Sequence, residues 1–596
     1  MLRFIFAVAG LFPAVSSLTA ASGGNDGETT FPFPADAPIV VSLNGYEKVG
    51  SRLIAMLAEA MPNEATILTK EVEEQLNKLI EGRKITEVRK DAKCFLVGHD
   101  LSGLLENKFP VSVLVPVTSY KKFRDSFLTK DELRTLNRDQ NGVESVGSAS
   151  GTILFLADLK EYVAISTNKD PITAYTDKYT AGSTKPMGRE MAEVFVKADV
   201  ALYLNMQVVN AQFGDQIRTF KNLTEWVIRQ AIDQGKIQFL SKQYLNAVKA
   251  KLSGLFQGIN DCRALILAAE FRADGLLFRG LARFAENSTT WEAIQAASSE
   301  AVKVVGYIPP GVAWYSENRL GDAFLTMMES GFIPTEGDQD GSKLIAKYSR
   351  DKATAGLRYE RSADYGKGTV LTLADYKEPV KAVQVLLSPY KVASPGWRIK
   401  GLVVKTAPVV KERAESYRGF TFAEVGLSFD MDATVEIAPA GPLREIFLNE
   451  YKHILNGKTR TWIGTDGKVV AQVATNDWPD AKKVLDAYLE QKDRTKTLPG
   501  DPGFRLVRQQ LPTDVAYLEI NEIQSVVARY TPVINLYKVI PGFPEIGPVK
   551  PVRTDPAYVG YAVTIKGDSL GLIGFVPTKS VSIARKMFEG ESGNRP

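Results

Sequence analysis

Histidine is almost missing from this chain: its 596 residues hold two, His99 and His453. Imidazole is the ordinary acid–base group near neutral pH and a frequent metal ligand. Neither histidine has a cysteine or a second histidine at metal spacing, and no HExxH occurs. Each reads as structural, with His99 in "LVGHDLSG" and His453 in "LNEYKHILNG". Cysteine is equally scarce, with only Cys94 and Cys262, which excludes a disulfide-dense scaffold and a zinc site built from four cysteines. An excess of one charge is missing too: 73 basic residues face 69 acidic ones, for a net charge of +4. A nucleic-acid binder needs a dense basic face to displace counterions, so no nucleic-acid partner is expected. Beyond the first fifteen residues no apolar run approaches the ~20 that a membrane span requires.

Nucleophile and phosphate motifs fail on inspection. "GSASG" (147–151) places Ala149 where a nucleophile elbow needs serine. "NGKT" (456–459) has Lys452 where a phosphate loop needs glycine. "NRDQNG" (137–142) and "EGDQDG" (336–341) start like calcium loops, but the closing position twelve is Ser148 in one and Lys347 in the other. Without a bidentate glutamate there, both read as exposed turns. No catalytic, cofactor-binding or metal-ligating residue is assigned, and no cofactor is expected.

What is present begins with "MLRFIFAVAGLFPAVSSLTAAS". Arg3 precedes an apolar run from Phe4 to Val15, and Ser16, Ser17, Ala20 and Ala21 follow. That is the layout of a secretory signal peptide over 1–21, cut after Ala20 or Ala21. The mature protein is expected to be soluble and extracytoplasmic, periplasmic or secreted, with no transmembrane anchor after processing. No cysteine stands at the cleavage site to take a lipid. Residues 22–37, rich in Gly, Thr and Pro, read as a linker, with order expected from about Ile39. An oxidising compartment permits a bridge between Cys94 and Cys262; the alternative is two buried free thiols.

At 44% hydrophobic and 24% charged residues, the composition is that of a globular chain of several domains. Internal similarity organises it. "DVALYLN" (199–205) and "DVAYLEIN" (514–521) alternate as strands, and "PIVVSLN" (38–44) and "GVAWYSEN" (311–318) read likewise. "VAISTNKDPITAYTDKY" (163–179) matches "AQVATNDWPDAKKVLDAY" (471–488), with Thr167, Asn168 and Pro171 set against Thr475, Asn476 and Pro479. There a strand ends, Asp or Asn caps free N–H groups, and proline is tolerated in the first turn. Asp274-Gly275 and Asp466-Gly467 signal hairpins.

These pieces predict an α+β fold of tandem β-α-β-β-α units, the ferredoxin-like or split βαβ pattern, with antiparallel sheets and duplicated halves. The expected regions are 38–197, 198–305, 306–510 (a repeat of 38–197) and 511–596 (a repeat of 198–305). Residues 391–420 fit this scheme poorly.

The stretch "DVALYLNMQVVNAQFGDQI" and the later "NDCRALILAAEFRADGLLFRGLARFAENSTTWEAI" resemble large secreted bacterial proteins of unknown function. The resemblance implies an extracytoplasmic bacterial protein and carries over no functional residue. The expected function is a non-enzymatic binding or scaffold protein with a partner in the envelope. The alternatives are a carrier of an apolar ligand and a hydrolase whose site is assembled between units. The Pro-rich loop 541–556 offers Phe543 and Ile546 as a preorganised partner contact, unless they fold back on their own unit.

Overall fold

The computed structural model describes residues 30–62, 70, 86–101, 109–147, 151–178, 182–183, 187–233, 242–296, 308–319, 332–335, 338–399, 402–436, 457–490, 497–534 and 549–589. Residues 1–21, read above as a signal peptide, and His453, Phe543 and Ile546 lie outside the described residues. The chain divides into two units. Unit 1 comprises Met1–Thr219, Gly258–Trp291 and Asp568–Leu572; unit 2 comprises Phe220–Gln257, Glu292–Gly567 and Ile573–Pro596.

Unit 1 contains β1 (Thr30–Phe31), β2 (Ile39–Asn44), β3 (Lys93–Gly98), β4 (Val111–Pro116), β5 (Asn137–Arg138) and β6 (Glu144–Gly147). It continues with β7 (Ile153–Asp158), β8 (Tyr162–Ser166), β9 (Gly182–Ser183), β10 (Val200–Leu204), β11 (Cys262–Arg272) and β12 (Gly275–Phe284). Apart from a small β1–β9 pair, these strands form one open antiparallel sheet in the order β12–β11–β10–β2–β3–β4–β8–β7–β6–β5. The period of two sorts the side chains. Ala201, Tyr203, Val40, Phe95, Val97, Leu114 and Ile266 share one buried cluster with Ile172 and Tyr175 of the helix Lys169–Lys178 and with Met191, Val194 and Phe195 of the helix Arg189–Lys197. The opposite face holds Leu43 and Cys94 against Val49 of the helix Tyr46–Ala60. Phe31 and Phe33, in the stretch read as a linker, join the first cluster: their rings stack at 5.2 Å and meet Phe95 and Phe195 edge-on. Phe31, Phe33 and Ala37 of this segment therefore belong to the core, because two phenylalanines outweigh the irregular backbone that proline imposes.

Unit 2 contains β13 (Trp314–Asn318), β14 (Phe332–Ile333), β15 (Leu357–Asp364), β16 (Val370–Tyr376), β17 (Arg398–Ile399) and β18 (Leu402–Tyr417). Then come β19 (Phe420–Asp430), β20 (Lys458–Thr465), β21 (Val470–Thr475), β22 (Tyr517–Glu522) and β23 (Tyr558–Lys566); the last strand, β24 (Ser569–Pro577), is divided, with Ser569–Leu572 in unit 1 and the rest in unit 2. Again the sheet is open and antiparallel, in the order β23–β22–β13–β15–β16–β21–β20–β19–β18–β17–β14. The helix Pro379–Val392 packs Ala382, Val383, Leu386 and Leu387 on one face, with Val425, Leu427, Phe429 and Ile463.

The expectation of tandem ferredoxin-like units is corrected by these pairings. In a split βαβ unit one helix returns the chain to its starting end, so the two flanking strands run parallel with a third between them. Here β10 and β11 are antiparallel neighbours, with Val200 opposite Ala269, because two helices, Met206–Asp233 and Lys242–Asp261, connect them. β2 likewise pairs directly with β3, and β13 with β15. Strands assigned to separate small units thus join edge to edge into one extended sheet. What the two units share is strand order: β11–β10–β2–β3–β4–β8–β7–β6 runs in the same sequence of chain positions as β23–β22–β13–β15–β16–β21–β20–β19.

Local chemistry follows the sequence closely. Asp477 caps the helix Trp478–Leu489 by accepting from Asp480 N–H at 2.9 Å, with Pro479 in the first turn. In the first copy the accepting residue lies one position earlier: Asn168, set against Asn476, accepts from Asp170 N–H at 3.0 Å. The poorly fitting segment 391–420 holds the whole β18 arm of a long hairpin, closed by Arg418 (φ 53°) and Gly419 (φ 86°). Both turn residues have positive φ, as a two-residue primed turn requires.

Candidate ligand cleft

One row of residues crosses six strands of unit 2 in direct register: Asn521, Trp314, Asp364, Val370, Ala474 and Thr461. Side chains in such a row project from the same face of the sheet. They floor a cleft of about 950 Å3. The helix Pro379–Val392 bounds one side with Tyr390, beside Ile399, Leu402 and Phe429. The helix Ile523–Ile534 bounds the other with Gln524, Val526 and Arg529, joined by Val549 and by Met587 of the helix Thr578–Glu589. The two helical covers leave the row between them uncovered. The lining is mixed: Trp314, Val370 and Tyr390 present half-buried apolar surface, while Asp364, Thr461 and Asn521 add polar groups. Asp364 is oriented by Gly366 N–H, which donates to its carboxylate at 2.7 Å. A volume of this size suits a small organic ligand or a short chain.

The cleft also defines the described end of the Pro-rich loop. Val549 and Val552 pack against Ile523, Val527, Ile583 and Met587. Val552 N–H donates to Gln524 Oε1 at 2.7 Å, and Lys550 N–H to the Met587 carbonyl at 3.1 Å. This part of the loop folds back on its own unit.

The remaining sequence candidates do not converge on a reactive centre. Cys94 and Cys262 are separate buried thiols. Two strands, β2 and β10, intervene between β3 and β11. Three inter-strand steps separate the cysteines by about 14 Å across the sheet, far beyond the reach of a disulfide. The bridge is thus excluded, and burial pushes Cys94 up to about 12 and Cys262 up to about 11.

His99 Nε2 lies 2.7 Å from Ser112 Oγ, and Ser112 Oγ lies 3.0 Å from Tyr175 OH. A serine beside a histidine suggests an activated nucleophile. Ser112, however, is fully buried at 0% exposure near the start of β4, where no substrate carbonyl can approach. Burial also pulls His99 down to about 4, against a weaker upward effect of Asp36. The group is a satisfied polar cluster of the core.

Asp139 closes a turn, accepting from Asn141 and Val143 N–H groups at 3.0 Å, and pairs with Lys169. Asp338 caps the helix Gln339–Ala355 through Gly341 N–H at 2.7 Å and accepts from Trp397 Nε1 at 3.0 Å. Both carboxylates are occupied by turn and cap bonds.

Sequence reasoning passed over Glu317. It is buried on β13, bonded to Tyr315 OH at 2.9 Å, and burial raises its carboxyl above the ordinary range despite Arg508, Arg361 and Arg319 nearby. The available signal was a charged residue inside the central strand "WYSEN".

Comparison with known proteins adds little. No family model matches the chain, and no curated protein matches it. A solved structure described as "Structure of crystal form I of TP0453" is similar at 10% identity and a TM-score of 0.20, over 46% of this chain and 88% of that one. A likeness at that level carries no conclusion about fold or function.

Proposed function

We propose that this chain is a secreted or periplasmic, non-enzymatic binding protein whose ligand occupies the cleft of unit 2. The observation that carries this reading is the in-register row Asn521–Trp314–Asp364–Val370–Ala474–Thr461, left uncovered between two helical layers. A sheet face that the fold could have covered with helix instead presents apolar area with a few placed polar groups, which is the ordinary make-up of a ligand site. Carriage of an apolar ligand is the second reading, favoured by Ile399, Leu402, Phe429 and Met587 along the walls. A hydrolase is the least supported, since Ser112 beside His99 is sealed in the core.

The test is titration of the mature protein with Nile red, followed by fluorescence. Saturable binding is expected, and Thr461→Trp, which fills the floor, should abolish it with thermal unfolding unchanged. Equal dye binding by a folded Thr461→Trp variant overturns the assignment of the cleft. Export is tested separately by N-terminal sequencing of the cell-derived protein; a retained Met1 would overturn it.

A further inference from the structure

The longest helix, Met206–Asp233, starts as an ordinary core element, with Met206 buried and Val208, Val209, Phe213 and Ile217 partly buried. Its apolar stripe then continues past Thr219 without cover. Phe220 is 62% exposed, Leu223 53% and Trp226 56%. Spaced three apart, they span an arc of about 120° on one helix face. The helix Lys242–Asp261 lies alongside, since the Phe256 ring meets Phe220 edge-on at 6.1 Å, and it adds Leu255 at 60% exposure. Among the described residues no other exposed aromatic ring approaches these values; the next, Phe588, is 37% exposed.

We propose that this helical pair docks onto the surface of an anionic lipid bilayer, with Phe220, Leu223, Trp226 and Leu255 entering the interfacial layer. Clustered apolar exposure of this kind marks an interaction site. The helix pair beyond Thr219 carries Lys221, Arg229, Lys242, Lys249 and Lys251 against Glu225 and Asp233 within residues 220–233 and 242–257. That excess of three positive charges is most of the chain's net +4. A protein partner for so apolar a face calls for no charge excess, whereas an anionic membrane attracts each lysine and accepts tryptophan and phenylalanine at headgroup depth. No described helix is long and apolar enough to cross a membrane, so the pair lies on the surface.

The experiment is flotation of the full mature chain with unilamellar vesicles of phosphatidylglycerol and phosphatidylcholine in equal parts, compared with phosphatidylcholine alone. Binding is expected on the anionic vesicles and should weaken in about 0.5 M salt, which screens surface charge. Phe220→Ser combined with Trp226→Ser should lower partitioning by at least about tenfold, from the apolar area withdrawn from the interface. Thermal unfolding should stay constant, because both rings are exposed. Lys221→Glu combined with Lys251→Glu should lower binding to anionic vesicles only, and this pair decides the matter if the apolar variant fails to fold. Absence of wild-type flotation on anionic vesicles overturns the proposal, as does unchanged flotation of the folded apolar variant. So does a wild-type dimer in sedimentation that the apolar variant dissociates without any vesicle binding, which would make a second copy the occupant.

Discussion

Replacing Asp199 with alanine should loosen the start of β10 by a predictable amount. The Asp199 side chain is fully buried. One oxygen meets Arg52 Nη1 at 2.8 Å, and the other accepts from Phe271 N–H at 2.8 Å. The backbone of Asp199 donates to the Ala269 carbonyl and accepts from Asn44 N–H; alanine keeps both of those bonds. The loss is therefore confined to the side chain. Leaving the Phe271 N–H without an acceptor costs about 1–3 kcal/mol. Losing the ion pair adds less than about 1 kcal/mol, because the Arg52 side chain is 43% exposed and rehydrates. Asp199→Ala should thus destabilise unit 1 by about 1–4 kcal/mol. Asp199→Asn keeps an acceptor for Phe271 and should cost about 1 kcal/mol. Asp514, which opens the similar "DVAYLEIN", is exposed, so Asp514→Ala should stay within about 0.5 kcal/mol. Urea unfolding with hydrogen exchange on peptides covering 199–205 and 262–272 reads all three variants. Equal stability of Asp199→Ala and Asp514→Ala, or unchanged exchange in 262–272, would refute the reasoning.

His99 should make stability fall in acid: it titrates near 6.5 when unfolded but is drawn down to about 4 by burial in the fold. Between those values the unfolded chain takes a proton that the folded one refuses, so its contribution is complete above about 6.5 and is lost towards pH 4, by up to about 3 kcal/mol. His99→Gln should flatten that limb of a stability–pH curve measured in urea; an unchanged slope would count against the burial effect. At the β18–β19 turn, Gly419 has φ 86° and open space around an added Cβ. Gly419→Val should therefore cost about 1–2 kcal/mol through backbone strain alone, read as a lower urea midpoint. Gly214, inside the helix Met206–Asp233 with nothing within 4 Å of an added Cβ, behaves oppositely: Gly214→Ala should stabilise by about 0.5–1 kcal/mol.

Much of the local structure could be read directly from residues. Alternation in "DVALYLN" marks β10, and the cap of Trp478–Leu489 is visible as "TNDWP". Turn placement was legible to within a residue or so. Asp466-Gly467 lies between β20 and β21, with Gly467 at φ 89°. The β11–β12 turn is centred on Ala273-Asp274, with Arg272 opposite Gly275, one residue before the Asp-Gly pair suggested. The Arg418-Gly419 turn went unread because arginine does not advertise a positive φ, and Pro408 with three register shifts disguises β18 as a non-strand.

The cleft was not legible at all. Its floor comes from strands spread between Trp314 and Asn521, and no one of its residues is unusual where it stands in the chain. Secondary structure depends on spacing over a few residues, so periodicity, caps and turn chemistry in the sequence determined it here. Strand pairing depends on which apolar faces meet and on how many helices each connection carries. Only the tertiary structure decided that β10 would neighbour β11, that Cys94 and Cys262 would stand with two strands between them, that Ser112 would be sealed beside His99, and that one row across unit 2 would stay uncovered. Each of these outcomes balances burial over the whole sheet, and that balance is made between residues hundreds of positions apart.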